Sequence, residues 1–531
     1  MKYSFLRYGF LAIIIFFSLC RKQYVSHNFR ANYASFNDMI HQDSSQMPFI
    51  KVHLKNGDVS ILHNWQVYAE QDCLKGNGTA WDYNRDVKLN GELTYTLNEI
   101  ALLETNNYSA IKTLDKGRFS SLALMTGINM ALTIMCATNP KACFGSCPTF
   151  FIGDDDKLTD ARAEGFSSAI TPSMEARDID ALRTITTAPQ LHLTMTNEAL
   201  ETHVINQLSL LTVKTNPHQA AFVDKDNHFY TAEQAVSPIS SVVGHTNILP
   251  QLCAADGIEY FSESGHEDLS EKEEVVMRFR NNSSSAKGLI LQFRQTLLTT
   301  FLLYTGYAYM GNEVGDYLAL IERDKKIRKM VSKPYQLLGG LKVSYYCPVN
   351  KAWKTVDEIY ETGPIASNQV LVPLPDNDNM DNEIKLKINM TRGLWRLDYA
   401  GLVDNISEVE PEIVLPSACL PNDSIAGNEI LSLVCDNDAN YLVSLPGDRY
   451  HFVFELPSLP ANHSNTLFLS SKGYYLEWIR SEWILHKNPK RLKRMLMNHS
   501  GEWKALAREY KLVESDMEQA FWNSSLHTTY N

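Results

Sequence analysis

Recurrent two-residue alternation of apolar side chains, Asn-Gly turn signals between such runs, and separate stretches of helical periodicity predict a mainly β, multi-domain chain with helical insertions. A chain of 531 residues exceeds what one ordinary core accommodates. Hydrophobic content of 44% and charged content of 21% lie near the globular average, which excludes wholesale disorder. The formal net charge of −12 argues against nucleic acid as a partner, because phosphate contacts need clustered Lys and Arg.

Residues 1–20 read as a signal peptide. Lys2 and Arg7 precede an almost wholly apolar run, Tyr8 to Leu19, and then Cys20. As a helix this run reaches about 20 Å, short of a bilayer core of about 30 Å, which favours an export signal over a span. Phe17-Ser18-Leu19-Cys20 resembles the lipobox of bacterial lipoproteins, which implies acylation, palmitate included, at Cys20. Leu19 departs from the small residue usual there, and a plain signal is the alternative. The expected location is the bacterial cell envelope, anchored to a membrane through an N-terminal lipid or signal and facing the periplasm or cell surface.

Residues 21–48 are polar and aperiodic, as in a flexible tether. Residues 49–110 predict a small SH3-like barrel: Ile50, Val52 and Leu54 alternate before Asn56-Gly57, Val59 and Ile61 resume the pattern, and Asn90-Gly91 precedes Leu93, Tyr95 and Leu97. Residues 111–141 hold an apolar helix, Phe119 to Ala137, closed by Pro140 and read as buried between domains or resting on a membrane in preference to crossing one.

Residues 142–470 predict a β-rich, sandwich-like region. Its strands are signalled by Leu191, Leu193 and Met195; by Val275, Met277 and Phe279; and by Leu289 to Phe293, Ile384 to Ile388 and Tyr450 to Leu456. A helical insertion interrupts it near 295–330. Residues 471–531 predict a helical C-terminal tail, with helical spacing over Tyr474 to Lys487, Lys490 to Met497 and Glu502 to Trp522.

Chemistry is concentrated around Cys143 and Cys147. Two thiols four residues apart across a Gly-containing turn can come within bridging distance, so a local disulfide is the simplest account. Unpaired buried thiols and a redox or metal role are the alternatives. Glu198, Glu201 and His203 offer ligand or acid–base types, although strand alternation sends Glu198 to the opposite face. Asp154, Asp155 and Asp156, and likewise Asp376, Asp378, Asp381 and Glu383, read as solvated turns because the glycine of a calcium loop is missing. His486, Lys487, Lys490, Arg491, Lys493 and Arg494 beside Trp478 and Trp483 form a basic stripe, read as a solvated helix face with anionic lipid or polysaccharide as the alternative contact. No nucleotide, hydrolase or zincin motif occurs, and no cofactor is expected.

Asn139 to Phe150, Ala163 to Ser167, Asn197 to His203 and Gly473 to Trp478 together resemble a family of exported bacterial proteins marked by a Cys-Phe-Gly-Ser-Cys-Pro motif, over most of residues 50 to 525. The resemblance implies a lipoprotein-like leader and implies no activity. Cys143 to Pro148 also resembles the copper-binding motif of thioredoxin-fold copper-delivery proteins. There the motif opens a helix after a strand, whereas here it follows a helix and enters a strand. The expectation is an envelope lipoprotein with a binding or structural role and an envelope protein or glycan as partner. The alternative is thiol–disulfide or copper handling through Cys143 and Cys147.

Overall fold

The computed structural model describes residues 24–29, 50–54, 58–68, 71–82, 87–97, 99–111, 147–153, 161–197, 199, 201–233, 235–281, 285–361, 363–375, 382–421, 427–438, 440–445, 447–478, 483 and 486–522. The expected apolar helix at 119–137 lies outside them, as do Cys20 and Cys143. Among the described residues no helix is long and apolar enough to cross a membrane.

The expected mainly β architecture with helical insertions is present as several sheets with helices between and after them. At the N-terminus Ile50–Leu54 and Val59–Tyr68 pair antiparallel as the alternation requires, with Ile50 opposite Leu62 and His53 opposite Val59. Cys73–Trp81, Val87–Thr96, Ile100–Ile111 and Tyr24–Phe29 complete one six-stranded sheet. Tyr24–Phe29 falls within the expected tether. It pairs instead with the edge of Ile100–Ile111, placing Phe29 opposite Leu103, because an unpaired strand edge is satisfied by any extended neighbour. Asn90-Gly91 is likewise no turn: Gly91 lies within a strand, opposite Gly78. A Cβ at Gly78 would sit 1.7 Å from the Ile61 carbonyl oxygen, so this crossing demands glycine. Among the described residues, the sheet occupying the region expected as a small barrel runs from Tyr24–Phe29 to Val87–Thr96.

Two further sheets sandwich a core. One is ordered Ala418–Pro421, Arg449–Glu455, Gln190–Thr196, Thr149–Ile152, Ala161–Glu164. The other is ordered Glu412–Val414, Glu201–Thr215, Ser464–Glu477, Ala176–Thr186. Phe150, Leu193 and Phe452 from the first meet Leu208, Leu467 and Leu469 from the second. Tyr474 to Glu477, expected as helix, belongs to the end of the strand Ser464–Glu477. Aromatic and apolar residues at these positions suit either period, and pairing with Glu201–Thr215 decides between them. Trp483 is helical, and tail helices follow at Pro489–Leu496, Ser500–Lys511 and Glu514–Trp522.

A second, larger core gathers the strands Lys272–Arg280, Lys287–Gln295, Leu341–Cys347, Glu383–Thr391 and Trp395–Asp404 against the insertion and tail helices. Leu298–Met310 carries no charge and is buried nearly all round, as a helix without a polar face must be. Its Tyr304 and Tyr307 lie 4.9 and 5.2 Å from the ring of Trp483. Buried ion pairs tie the last helix to this core. Glu259 receives two bonds from Arg294, at 2.7 and 3.1 Å, and a third contact from Arg396 at 3.4 Å, while Arg396 also binds Glu518. Both guanidiniums are almost inaccessible, so removal of the shared acid takes a buried carboxylate from each of two buried cations. Glu259→Ala is expected to cost about 3–5 kcal/mol, read by urea unfolding. A loss under about 1 kcal/mol would show the network to be dispensable.

Candidate functional site

A cavity of about 280 Å³ opens where the two cores meet. The sandwich supplies Cys147, Glu164, Glu201, Tyr475 and Glu477, and the larger core supplies Leu303, Tyr304, Tyr335, Leu338 and Trp395. The wall is mostly apolar, with a few polar groups set into it, the usual composition of a small-molecule site.

Glu201 opens the strand Glu201–Thr215 and faces Glu477 directly across the ladder, while His203 faces Tyr475. Directly opposed side chains share a face with Cβ atoms about 4.5–5.5 Å apart, so two carboxylates are forced together at a buried position. Glu201 and Glu477 are 2% and 4% exposed. His203, fully buried, brings Nε2 within 3.2 Å of Glu201 Oε2 and compensates the pair when protonated. Trp478 donates its indole N–H to Thr202 at 2.9 Å and pins the end of the ladder.

Glu164 ends the strand Ala161–Glu164 and turns toward the loop at 363–366. Its Oε2 accepts from the amides of Ile365 at 2.9 Å and Ala366 at 3.4 Å. Gly363 has a φ of +107°, and a Cβ there would come 2.5 Å from the same oxygen, so only glycine lets the carboxylate close on the loop. The other side of the loop is gripped by Arg294, whose Nη1 donates to the carbonyls of Pro364 and Ile365 at 3.2 and 3.1 Å. Burial pushes the Glu164 carboxyl up to about 7, against the opposing pull of the two amides and of Arg294.

Cys147 is buried just before the strand Thr149–Ile152. Burial pushes its thiol well up, and Glu201, Glu164 and Glu477 push it further, which places all three carboxylates within electrostatic reach of one sulfur. That is the reverse of the electropositive surroundings that generate a thiolate. Burial also holds the Tyr475 and Tyr307 phenols well up and pushes Tyr335 up to about 12, so the tyrosines are hydrogen-bonding neutral groups at any physiological pH.

Several residues suggested by the sequence take other places. Cys20, Cys143, Glu198, Asp154, Asp155, Asp156, Asp376, Asp378 and Asp381 lie outside the described residues. Cys73, Cys147, Cys253, Cys347, Cys419 and Cys435 are free thiols, and no group of three or more metal-ligating side chains occurs among the described residues. The basic stripe is largely consumed internally: Lys487 pairs with Glu313, Arg491 with Glu502 and Glu509, and Arg494 with Glu502, while Trp478 and Trp483 are buried. Glu164 and Glu477 belong to no chemical motif in the sequence. A charged residue inside an apolar strand, Ala163-Glu164-Gly165-Phe166 or Leu476-Glu477-Trp478, is the signal that could have found them. The segments Asn139 to Phe150, Ala163 to Ser167, Asn197 to His203 and Gly473 to Trp478 each contribute a residue to this cavity.

No family model matches this chain, and no curated protein matches it. Among solved structures, a chain of the structure of infectious bursal disease virus Gt strain is 9% identical, with 86% of this chain and 80% of that one covered, at a TM-score of 0.13. A superposition that poor bears on neither fold nor function.

The Glu164 environment sets a pH dependence. Burial pushes its carboxyl up to about 7 in the fold against 4.5 for an exposed glutamate, so the folded state binds the extra proton between these values. The associated stability is present below about pH 4.5 and lost as pH rises through about 7, an effect of about 3 kcal/mol. Glu164→Gln removes it. The variant's stability relative to wild type should therefore improve by about 3 kcal/mol between about pH 4 and pH 8 in urea unfolding, and an unchanged difference would refute the assignment.

Proposed function

We propose that this chain is an exported, membrane-anchored envelope protein whose task is to bind a small, largely apolar organic ligand in the cavity between its two cores. The carrying observation is that cavity itself, about 280 Å³ lined by Leu303, Tyr304, Leu338 and Trp395 on one side and by buried carboxylates on the other. Filling such a space with water alone leaves apolar wall hydrated, whereas an amphiphile covers it and meets the polar groups. The export component rests on the leader: Lys2, Arg7, the run Tyr8 to Leu19, and Cys20. A glycan suits this cavity less well than an amphiphile, because its hydroxyls would face apolar walls. Thiol–disulfide or copper handling through Cys143 and Cys147 is disfavoured by the acidic, dry surroundings that keep Cys147 protonated.

Two measurements test the reading. Intact-mass analysis of protein taken from native membranes should show a lipid adduct with Cys20 as the first residue; a full-length, unmodified polypeptide in the soluble cell fraction would remove the envelope component. Thermal-shift screening with small amphiphiles should give hits on the wild type, since a ligand at a hundredfold its Kd adds about 2.7 kcal/mol. Leu303→Trp, which places an indole in the cavity, should keep the fold and lose those hits. Hits that survive this substitution would place binding elsewhere.

A further inference from the structure

One wall of the cavity is helical, and its outer side is basic. The helices Lys325–Val331 and Lys333–Leu338 are joined through Ser332, which keeps a right-handed helical backbone and donates its amide to the Arg328 carbonyl at 3.2 Å. Arg328, Val331, Ser332 and Tyr335 recur at three- and four-residue intervals, so one face of this segment lines the cavity. Lys325, Lys329 and Lys333 recur every four residues and form a second stripe, with Lys326 beside it. All four lysines are exposed, and none has an ion pair among the described residues. Asp324 precedes the stripe, but its carboxylate caps the helix by accepting the amide of Lys326 at 2.8 Å. From there no Asp or Glu occurs until Asp357, in a chain whose net charge is −12. Like charges four residues apart repel along a helix, and external negative charge relieves that repulsion.

A second feature stands at the same opening. Tyr360 lines the cavity and is nevertheless 60% exposed, which places it at the mouth. Its hydroxyl donates to Glu358 Oε1 at 2.8 Å, and the same oxygen accepts the amide of Gly340 at 3.1 Å, just past the helix Lys333–Leu338. One carboxylate thus ties the exposed ring to the end of the basic segment. Tyrosine rings and lysines with long apolar stems are side chains that settle at a membrane–water interface.

We propose that this lip docks on an anionic lipid bilayer, with Lys325, Lys326, Lys329 and Lys333 among the lipid phosphates and Tyr360 at headgroup depth, so that the mouth of the cavity faces lipid. The inference takes from the reading above a chain held at a membrane and an amphiphile in the cavity, and adds the surface at which the two meet. Charge complementarity selects the partner. Lysine is a flexible point charge that follows mobile headgroup phosphates, whereas arginine's rigid fork matches a fixed acid. A soluble polyanion matches the charge but leaves the Tyr360 ring and the mouth beside it uncovered.

Amine footprinting of the full chain tests the docking. The protein is mixed with phosphatidylcholine vesicles, with vesicles of phosphatidylcholine and phosphatidylglycerol in equal parts, or with polyphosphate, then briefly acetylated and read by peptide mass spectrometry. Acetylation of the four lysines should slow about fivefold or more with the mixed vesicles and recover in about 1 M salt. With phosphatidylcholine alone it should stay at the lipid-free rate. Lys214 and Lys385, exposed on other elements, should keep that rate throughout. Lys325→Gln, Lys329→Gln and Lys333→Gln combined are surface changes that keep the fold, and Lys326 should lose its protection in that variant. Equal labelling of the four lysines in both kinds of vesicle would overturn the docking and leave the cavity reading intact. Equal protection of Lys214 and Lys385 would overturn it as indiscriminate coverage. Protection by polyphosphate without protection by mixed vesicles would overturn it in favour of a soluble polyanion. Protection confined to the stripe, alongside an amphiphile screen without hits, would uphold the docking and overturn the cavity reading alone.

Discussion

The ladder between Glu201–Thr215 and Ser464–Glu477 is the constraint on which most of this molecule depends. It joins segments from opposite halves of the chain, forms the middle of its sheet, and accepts Ala176–Thr186 on one side and Glu412–Val414 with Leu442–Ser444 on the other. Its register brings Glu201 opposite Glu477 and His203 opposite Tyr475, and a slip by one residue would send these side chains to the other face. Opposing two acids in a buried position works against sheet stability. The long run of apolar partners farther along, Leu208, Leu210, Leu467 and Leu469 among them, holds the register despite that cost.

The same ladder reaches both neighbours of the sandwich. Beyond its last residue, Trp478 is fully buried against Trp81 of the N-terminal sheet, with ring centroids 5.4 Å apart, and lies beneath the ammonium of Lys51. At the other boundary the loop at 363–366 is held from two directions, by Glu164 of the sandwich through its amides and by Arg294 of the larger core through its carbonyls. Arg294 in turn shares Glu259 with Arg396, which binds Glu518 of the last helix. The cavity is the space left along this seam. Its polar groups face inward because the backbone that carries them is pinned on both sides.

That arrangement changes the meaning of the cysteine motif. Two cysteines four residues apart invite a redox reading, yet thiol reactivity follows thiolate character, and thiolates form beside positive charge. Cys147 instead shares its surroundings with Glu164, Glu201 and Glu477. Its environment favours a neutral, packing sulfur.

Local pattern was enough for much of the architecture. Alternation marked the hairpin of Ile50–Leu54 with Val59–Tyr68 and the strands at Gln190–Thr196, Lys272–Arg280 and Arg449–Glu455, because a two-residue period reports which side of a strand is buried regardless of its partner. An uncharged, Leu- and Tyr-rich run likewise marked the helix Leu298–Met310. Sequence alone could not decide the elements whose form depends on a distant partner: Tyr24–Phe29, made a strand by Ile100–Ile111; Asn90-Gly91, kept extended opposite Gly78; and Tyr474 to Glu477, drawn into a ladder with Glu201–Thr215. The site belongs to this second kind. Glu201 and His203 were visible as residue types, but their burial, the pairing of Glu201 with Glu477, and the meeting of Glu164 with the loop at 363–366 arise from contacts across hundreds of residues, which only the folded chain brings within bonding distance.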